Sequence, residues 1–263
     1  MKRLRRLKGF RLAPDWNPTV RGVRESSLRP WLLSVLALFV CLSLHSRQMN
    51  YNVRAMGLSV ASLSIERDPS AGIVSVKTKS LITNALFPSI DNQYTVRYSS
   101  GYLPLKYHRS VRQDKLKDNV LTLYDHSKGQ ATESHSKASE NISYRVNSST
   151  RDFFSFVAML SDGNAGAGSY ELDANGSLWK VSVSYLGSKD IKTDAGKFRS
   201  LGYKLSFNCA THTKPPYVDM VTHNLFHKSS KVELWVDGNG LVVKASMKKG
   251  AIGSSWELKE IKP

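Results

Sequence analysis

The stretch WKVSVSY, residues 179–185, places an apolar and a polar residue at alternating positions. Successive side chains of a β-strand point to opposite faces, so this period of two predicts a strand with one apolar face. The same pattern recurs downstream in three further segments: Tyr203–Cys209, Val232–Val236 and Leu241–Met247. Because turn residues separate these segments, they predict consecutive antiparallel strands of one sheet.

The sequence before residue 179 also consists mostly of short strand patterns separated by turns. The alternation from Leu58 to Ile65 slips by one residue at Ala61-Ser62, which predicts a β-bulge. Further strands are expected at residues 73–83, 94–98, 102–112, 120–124 and 142–146. Pro104 indicates an edge strand or the start of a strand. The segment from Asp125 to Glu140 has too few apolar residues to belong to the core.

One segment departs from the period of two. Between Ser149 and Leu160, the apolar residues Phe153, Phe156, Val157 and Leu160 have the spacing of an amphipathic helix. Ser149 and Asp152 resemble a capping box, and Gly163 follows the expected end. We therefore predict a helix of about three turns. Its phenylalanines either pack on the sheet as core or form an aromatic lid over a cavity.

These patterns predict a mainly β fold: an antiparallel barrel, half-barrel or curled sheet with one short inserted helix, preceded by an N-terminal signal or anchor helix. We expect residues 51–263 to form a single exported β domain. All-β domains of this length are common as single units.

The N-terminal segment decides where this domain is expected to fold. Residues 1–30 form a basic leader with nine Lys or Arg, and residues 31–44, WLLSVLALFVCLSL, carry no charge, Gly or Pro. Fourteen residues rise only about 21 Å as a helix, short of a bilayer core of about 30 Å, so a signal-peptide h-region fits best. An uncleaved membrane anchor and a buried helix of a soluble protein are the alternatives. Residues 45–50 would be a spacer.

This arrangement predicts a bacterial envelope protein, either periplasmic or anchored in the inner membrane, because positive charge keeps the leader cytoplasmic. The chain has a net charge of +17, and the part beyond residue 47 still carries +9. That surface suits anionic or lipid-like envelope components as partners, although simple solubility also explains it. We expect no nucleic-acid partner. Cys41 and Cys209 are the two cysteines, so cleavage after Ser43 would leave no intramolecular disulfide.

A family resemblance is visible in the order of several turn and strand motifs. They are Tyr51-x-Val53-x-x-x-Gly57, a short helix, Ile191-x-Thr193-x-x-Gly196-x-Phe198, and Leu234-Trp235-Val236-Asp237. From about Tyr51 to the C-terminus the chain resembles the bacterial exported family known as domain of unknown function 3108. It departs from the family at Asp237-Gly238, where an acidic pair is usual, and by a longer segment from Thr211 to Ser230. The resemblance implies an exported, mainly antiparallel β domain without an established activity.

One group of residues has the composition of a metal site. Its members are Cys209, His212, His223 and His227, with Asp219 as a further candidate ligand. Against a metal site, Cys209 continues an apolar row and is explained as a small core residue. Pro215-Pro216 also indicates a loop. We therefore predict no catalytic, cofactor-binding or metal-binding residues and no cofactor.

Two functional hypotheses follow from the sequence. The first is a non-enzymatic envelope protein whose sheet encloses an apolar ligand such as an acyl chain, or docks a partner. The second is a metal-dependent or other hydrolase centred on residues 209–227. The sequence has no Gly-x-Ser-x-Gly and no His-Glu-x-x-His motif, which favours the first.

Overall fold

The computed structural model describes residues 46–136, 140–211, 219, 221–223, 225–250 and 252–262, with the backbone alone for Ile252. The predicted leader (1–30) and apolar run (31–44) lie outside the described residues. Within those ranges, no helix is long and apolar enough to cross a bilayer.

The described strands form one curled, unclosed sheet of fifteen strands in the order β8-β7-β6-β5-β4-β3-β2-β1-β15-β14-β13-β12-β11-β10-β9. Neighbouring strands are antiparallel, except that β9 runs parallel to β10. The predicted fold class, a mainly β curled sheet with one inserted helix, is confirmed. The strands are β1 (Arg47–Ala55), β2 (Leu58–Asp68), β3 (Ile73–Ser80), β4 (Asp91–Tyr98), β5 (Pro104–Gln113), β6 (Leu116–Asp125), β7 (Gln130–His135), β8 (Ile142–Arg145), β9 (Arg151–Asp152), β10 (Gly168–Ala174), β11 (Ser177–Thr193), β12 (Gly196–Cys209), β13 (Ser230–Asp237), β14 (Val242–Lys249) and β15 (Ile252–Lys262).

Alternation in the sequence sets which face of each strand is buried. In β11, Val181 and Val183 are buried as predicted, but Tyr185 of the same row is 54% exposed. The register of β11 with β12 shifts between Tyr185 and Gly187, and this irregularity ends the regular alternation. A similar shift in β2, opposite Val53 and Arg54, leaves Val60 without an opposite residue in β1. The predicted bulge is therefore present, one residue before Ala61-Ser62.

The helix α1 (Phe153–Ser161) begins at the first residue of the predicted apolar spacing, and later than the predicted capping box at Ser149 requires. Asp152 is the N-cap residue, and its carboxylate accepts hydrogen bonds from the backbone N–H groups of Phe154 at 2.8 Å and Ser155 at 3.2 Å. The capping box beginning at Ser149 is therefore wrong. Residues 151–152 instead form the short strand β9, which leads directly into the helix.

Two other expectations differ from the structure. The polar segment 125–140 was expected to stay out of the core, but it contains β7, in which Ala131 and Glu133 are buried. Polar residues can be buried there because they are paired, as described below. At the N-terminal end, β1 begins at Arg47, so the sheet includes residues predicted as a spacer.

The helix lies against the inner face of both halves of the sheet. Phe156 belongs to an apolar cluster with residues of β10 to β14, whereas Ala158 belongs to a second cluster with residues of β3 to β7. A third cluster joins β1 and β15 to β13 and β14. Between β1 and β15 the register pairs Met49 with Ile261, so the first and last strands are neighbours in the middle of the sheet.

Candidate functional site

An apolar cavity of about 130 Å³ lies between α1 and the inner face of the sheet. Its wall includes residues from both halves of the sheet, from α1 and from the segment before β13. The lining residues are Met49, Tyr51, Leu63, Ile65, Arg67, Val74, Val76, Thr78, Phe153, Phe154, Val157, Ala158, Ser161, Val221, Leu225, Val232, Leu234, Gly240, Val242, Ala245 and Trp256. We call this space the apolar cavity.

The phenylalanines of the helix differ in what they contact. Phe156 is fully buried in the core, as core packing predicts. Phe153 and Phe154, which lie on another side of the helix, line the apolar cavity together with Val157. Because a helix places residues three and four positions apart on one side, Phe153 and Val157 lie above one another on the cavity wall.

Arg67 is the one charged side chain in the described wall of the apolar cavity. It continues the inward row of β2, in which Leu63 and Ile65 precede it. Its Nη2 donates to both carboxylate oxygens of Asp162, at 3.0 and 2.8 Å, and Asp162 is the C-cap residue of α1. Tyr102 also donates to Asp162, at 2.9 Å. A cation at a helix C-terminus is stabilised by the partial negative charge of the last carbonyl groups.

One buried hydroxyl in the wall of this cavity, Thr78 Oγ1, has no hydrogen-bond partner among the described residues. Tyr98 lies beside Arg67 and borders a separate cleft of about 200 Å³ next to the β2–β3 turn. Burial raises the pKa of Tyr98, whereas the charge of Arg67 and a side-chain hydrogen bond with it act in the opposite direction.

A second buried region contains polar side chains that do have partners. We call it the polar seam, because it spans the opening of the sheet between β5–β8 on one side and β10 on the other. It consists of Arg109, Tyr124, Glu133, Tyr144, Asp173 and Asn175. Tyr124 and Tyr144 donate to the same oxygen of Asp173, at 2.8 and 2.7 Å. These contacts replace the backbone hydrogen bonds that a closed barrel would have there.

Arg109 connects the other members of the polar seam. Its Nη2 donates to Glu133 at 2.6 Å, and its Nη1 donates to Asn175 in the turn after β10. Glu133 also contacts His135, whose other ring nitrogen lies 2.8 Å from Asp118. Such pairing offsets the desolvation of buried charges.

Burial raises the pKa of Asp173 to about 6, and the hydrogen bonds from Tyr144 and Tyr124 act against this rise. Arg109 lowers the same pKa and Glu133 raises it. The Asp173 carboxyl therefore changes its protonation state near neutral pH, although its side chain is almost fully buried.

The candidate metal ligands Cys209, Asp219, His223 and His227 do not form a ligand group in the described part of the chain. Among all the residues that the structure describes, no group of three or more His, Cys, Asp or Glu could hold a metal ion. His212 lies outside the described residues. Asp219 is buried and accepts hydrogen bonds from the Tyr94 hydroxyl at 2.9 and 3.1 Å, and His227 Nδ1 lies 2.8 Å from Ser229 Oγ.

Cys209 is not the buried core residue that its alternation predicts. It is only half-buried, since it is the last residue of β12, and its Sγ lies 3.0 Å from the carbonyl oxygen of Thr211. Burial raises the pKa of this thiol, which disfavours the thiolate that a nucleophile or metal ligand needs. Burial and Lys249 lower the pKa values of His223 and His227.

The hypothesis of an enclosed apolar ligand allowed for a cavity, but the sequence identified neither the residues of its wall nor the polar seam. Arg109 follows Tyr107 in the inward row of β5, and a charged residue in a buried row was the available signal. The sequence Asp173-Ala174-Asn175-Gly176 is typical of a turn, yet Asp173 is the penultimate residue of β10. The cavity depends on side chains from distant strands, and no local pattern indicates it.

Comparison with known proteins identifies a matching family and a solved structure with a similar fold. The family model described as "Protein of unknown function (DUF3108)" matches residues 48–254. The crystal structure of a β-barrel-like protein of domain of unknown function DUF1849 from Brucella abortus is similar, with a TM-score of 0.57 and 12% identity. The similarity covers 83% of this chain and 98% of that chain. At this identity it shows a shared fold and nothing about function.

The hypothetical lipoprotein YmcC from Escherichia coli (K12) aligns over 92% of this chain and 100% of its own. Its TM-score is 0.33 and its sequence identity is 11%. None of the curated proteins matches the chain in sequence.

Proposed function

This chain belongs to the DUF3108 family of proteins of unknown function, and we propose that it is an exported, non-enzymatic β domain that binds an apolar, lipid-like ligand. The ligand occupies the apolar cavity between α1 and the sheet. The domain acts in the bacterial envelope, beyond the inner membrane.

The apolar cavity is the observation that carries this proposal. Protein interiors are normally packed without voids larger than a water molecule, and an unfilled cavity lowers the free energy of unfolding. Apolar cavities of roughly 150 Å³ stay dry and can bind small apolar molecules such as benzene. The cavity here has a similar volume and an almost entirely apolar wall, which suits a hydrocarbon chain.

Two features of the sequence support the location. Residues 31–44 have the length and basic flank of an export signal. The part beyond residue 47 has a net charge of +9, which suits the anionic lipids of a membrane surface.

Binding is tested by isothermal titration calorimetry with the full chain and toluene, a neutral apolar probe of a size that suits a cavity of about 130 Å³. We expect saturable binding to the unaltered protein and at least tenfold weaker binding to Ala245→Phe, because the new ring fills space in the cavity wall. The matched control is Ala85→Phe, which places the same ring on an exposed loop and should bind like the unaltered protein. Equal binding by all three proteins would contradict the proposal.

Export is tested separately by fusing residues 1–50 to alkaline phosphatase, which is active only after export. We expect activity from this fusion and none from a fusion in which Leu36→Arg and Val40→Arg interrupt the apolar run. No activity from the first fusion would contradict export, and equal activity of the two fusions would show that the apolar run does not direct it.

A further inference from the structure

We propose that the outer face of strands β3–β6 docks on the anionic surface of a lipid bilayer. This proposal goes beyond the proposed function, because it concerns a surface outside the apolar cavity and does not depend on the ligand of that cavity. We call this surface the basic face. Its exposed cations are Lys77, Lys79, Arg97, Lys106, Arg112 and Lys117.

The strand register places cations of the basic face directly opposite one another. Arg97 pairs with Lys106 between β4 and β5, and Arg112 pairs with Lys117 between β5 and β6. Opposite residues of an antiparallel pair have Cβ atoms about 4.5–5.5 Å apart, so like charges at these positions destabilise the sheet. An anionic surface in contact with the basic face removes this repulsion. The two like-charge pairs therefore indicate an anionic partner.

Acidic residues of the protein do not neutralise the basic face. The acids that alternate onto the same side of β3–β6 are Asp91, opposite Lys79, and Asp125, which pairs with Lys128 in the turn after β6. None of the six cations forms an ion pair within the part of the chain that the structure describes. Their charge is therefore available to an external partner.

The outer face of β10–β15 has a different charge pattern, in which acids lie opposite cations across neighbouring strands. The opposed pairs are Glu171 with Lys180, Glu233 with Lys204, and Glu257 with Lys244. Lys231 and Lys248 are an exception, since they lie opposite each other. Uncompensated positive charge is thus concentrated on the basic face, whereas charge added only for solubility needs no such concentration.

Two exposed leucines favour a bilayer over a soluble anionic polymer. Leu105 is 43% exposed and precedes Lys106, and Leu123 is 51% exposed and lies directly opposite Lys106. At a bilayer surface, apolar side chains enter the boundary between headgroups and acyl chains, while Lys and Arg contact anionic headgroups. A soluble polymer of sugars and acidic groups has no such apolar region. The combination of cations and leucines on one face therefore fits a membrane.

The test measures the reactivity of individual lysines, so that one molecule contains both the site and its control. The protein, purified from the bacterial envelope, is mixed at low ionic strength with vesicles of phosphatidylglycerol and phosphatidylcholine. It is then acetylated with an anionic, membrane-impermeant reagent and analysed by mass spectrometry. We expect acetylation of Lys77 and Lys106 to slow about fivefold, because the negative membrane surface covers them and repels the reagent. Acetylation of Lys180 and Lys231, on the outer face of β11 and β13, should not change.

Vesicles of phosphatidylcholine alone, and high salt with the anionic vesicles, should abolish the protection, because both remove the attraction between the charges. Equal acetylation rates of the two sets of lysines with anionic vesicles would overturn the proposal. So would equal protection by neutral and anionic vesicles, since charge would then not direct the docking.

A double variant tests the cations themselves. Arg97→Gln/Arg112→Gln removes one cation from each like-charge pair and should require about 25-fold more lipid for half-maximal protection of Lys77, at about fivefold for each charge. Its free energy of unfolding should be no lower than that of the unaltered protein, because the repulsion is removed. Lys180→Gln/Lys231→Gln removes the same net charge elsewhere and should leave the protection of Lys77 within about twofold. Equal effects of the two double variants would mean that net charge, and not the basic face, binds the membrane.

Dextran sulfate separates a bilayer from a soluble polyanion as the partner. Leu105→Ser/Leu123→Ser should weaken the protection of Lys77 by anionic vesicles and leave its protection by dextran sulfate unchanged. If dextran sulfate protects Lys77 and vesicles do not, the partner is an anionic polymer and the proposal is wrong. Toluene binding in the apolar cavity is measured independently, so either proposal can fail while the other stands.

Discussion

The apolar cavity and the polar seam lie within the same curled sheet, but their walls differ in chemistry. At the polar seam, side-chain hydrogen bonds join distant strands: one oxygen of Asp173 accepts from two tyrosine hydroxyls, and Arg109 donates to both Glu133 and Asn175. The wall of the cavity is almost entirely apolar, and its buried Thr78 hydroxyl has no hydrogen-bond partner among the described residues.

This difference in chemistry should have consequences for stability. A buried hydroxyl or carboxylate stabilises a protein when it is paired, and lowers its stability when it is left alone. The hydrogen bonds of the polar seam therefore hold the unclosed sheet together, whereas an unfilled cavity lowers the free energy of unfolding. Substitutions in the two regions should consequently have different, and in one case opposite, effects on the free energy of unfolding.

The largest effect is expected from removing the cation of the polar seam. Arg109→Met leaves Glu133 buried without its guanidinium partner, and breaking a buried ion pair in this way costs about 3–5 kcal/mol. Arg97→Met is the matched control on the exposed face of β4, where a change within about 0.5 kcal/mol is expected. Urea unfolding measures both. Similar small losses in both variants would mean that the seam does not hold the sheet.

The free energy of unfolding should depend on pH through the protonation of Asp173. Its pKa in the folded protein is about 6, above the ordinary 3.8, so the folded state holds this proton more tightly than the unfolded state. The resulting contribution to stability is fully present below about pH 4 and is lost as the pH rises through 6, by up to about 3 kcal/mol. The difference in unfolding free energy between the unaltered protein and Asp173→Asn should therefore decrease from pH 4 to pH 7. A difference that grows over this range would contradict the assignment.

Gly240 lies in the turn that contacts the C-terminal end of α1, and this position should not tolerate a side chain. Gly240 has a φ of +74°, and a Cβ atom there would lie 2.9 Å from the carbonyl oxygen of Ser161. Gly240→Ala should lower the free energy of unfolding by about 2 kcal/mol, because it adds strain and displaces the C-terminal end of α1 at the cavity. Gly238→Ala, two residues earlier in the same turn, has open space around its Cβ and should lose less than about 1 kcal/mol. Equal losses would show that the helix end is not fixed by this contact.

The smallest expected effects come from two buried threonines, one in each region. Replacing them with valine should change the free energy of unfolding in opposite directions. Thr78→Val replaces an unpartnered hydroxyl in the cavity wall and should raise the free energy of unfolding by about 1 kcal/mol. Thr122→Val removes a hydroxyl that donates to Glu133 at 3.4 Å and should lower it by about 1 kcal/mol. Thermal unfolding of both variants measures the two signs, and a shared sign would remove the distinction between the regions.

The sequence predicted the fold well where burial follows a simple period. The alternation around Val181, Leu205 and Leu234 correctly predicted the strands that contain them, because these side chains face a continuous apolar interior. The helix was found from its spacing, but its start was misplaced. Asp152 was placed inside a capping box, whereas its carboxylate caps the helix itself.

The candidate site was less predictable, because it depends on contacts between distant segments. Arg67 meets Asp162 across 95 residues, and Tyr124 meets Asp173 across 49. In each case the local pattern shows a polar residue in or beside a strand, and it does not show whether that residue will be paired. The Cys209 to His227 segment showed the reverse problem, since a suggestive spacing did not produce a ligand cluster among the residues that the structure describes.

The pairing of β1 with β15 has a consequence for how this chain must acquire its structure. Strand β1 pairs with β2, which follows it directly in sequence, and with β15, the last of the described strands. Contacts between segments so far apart close slowly, and they cannot form before the end of the chain has been synthesised. Until then β1 presents an unpaired edge, which invites pairing with other chains. The sheet is therefore completed only when β15 docks on β1, and this late pairing is the step most open to misassembly.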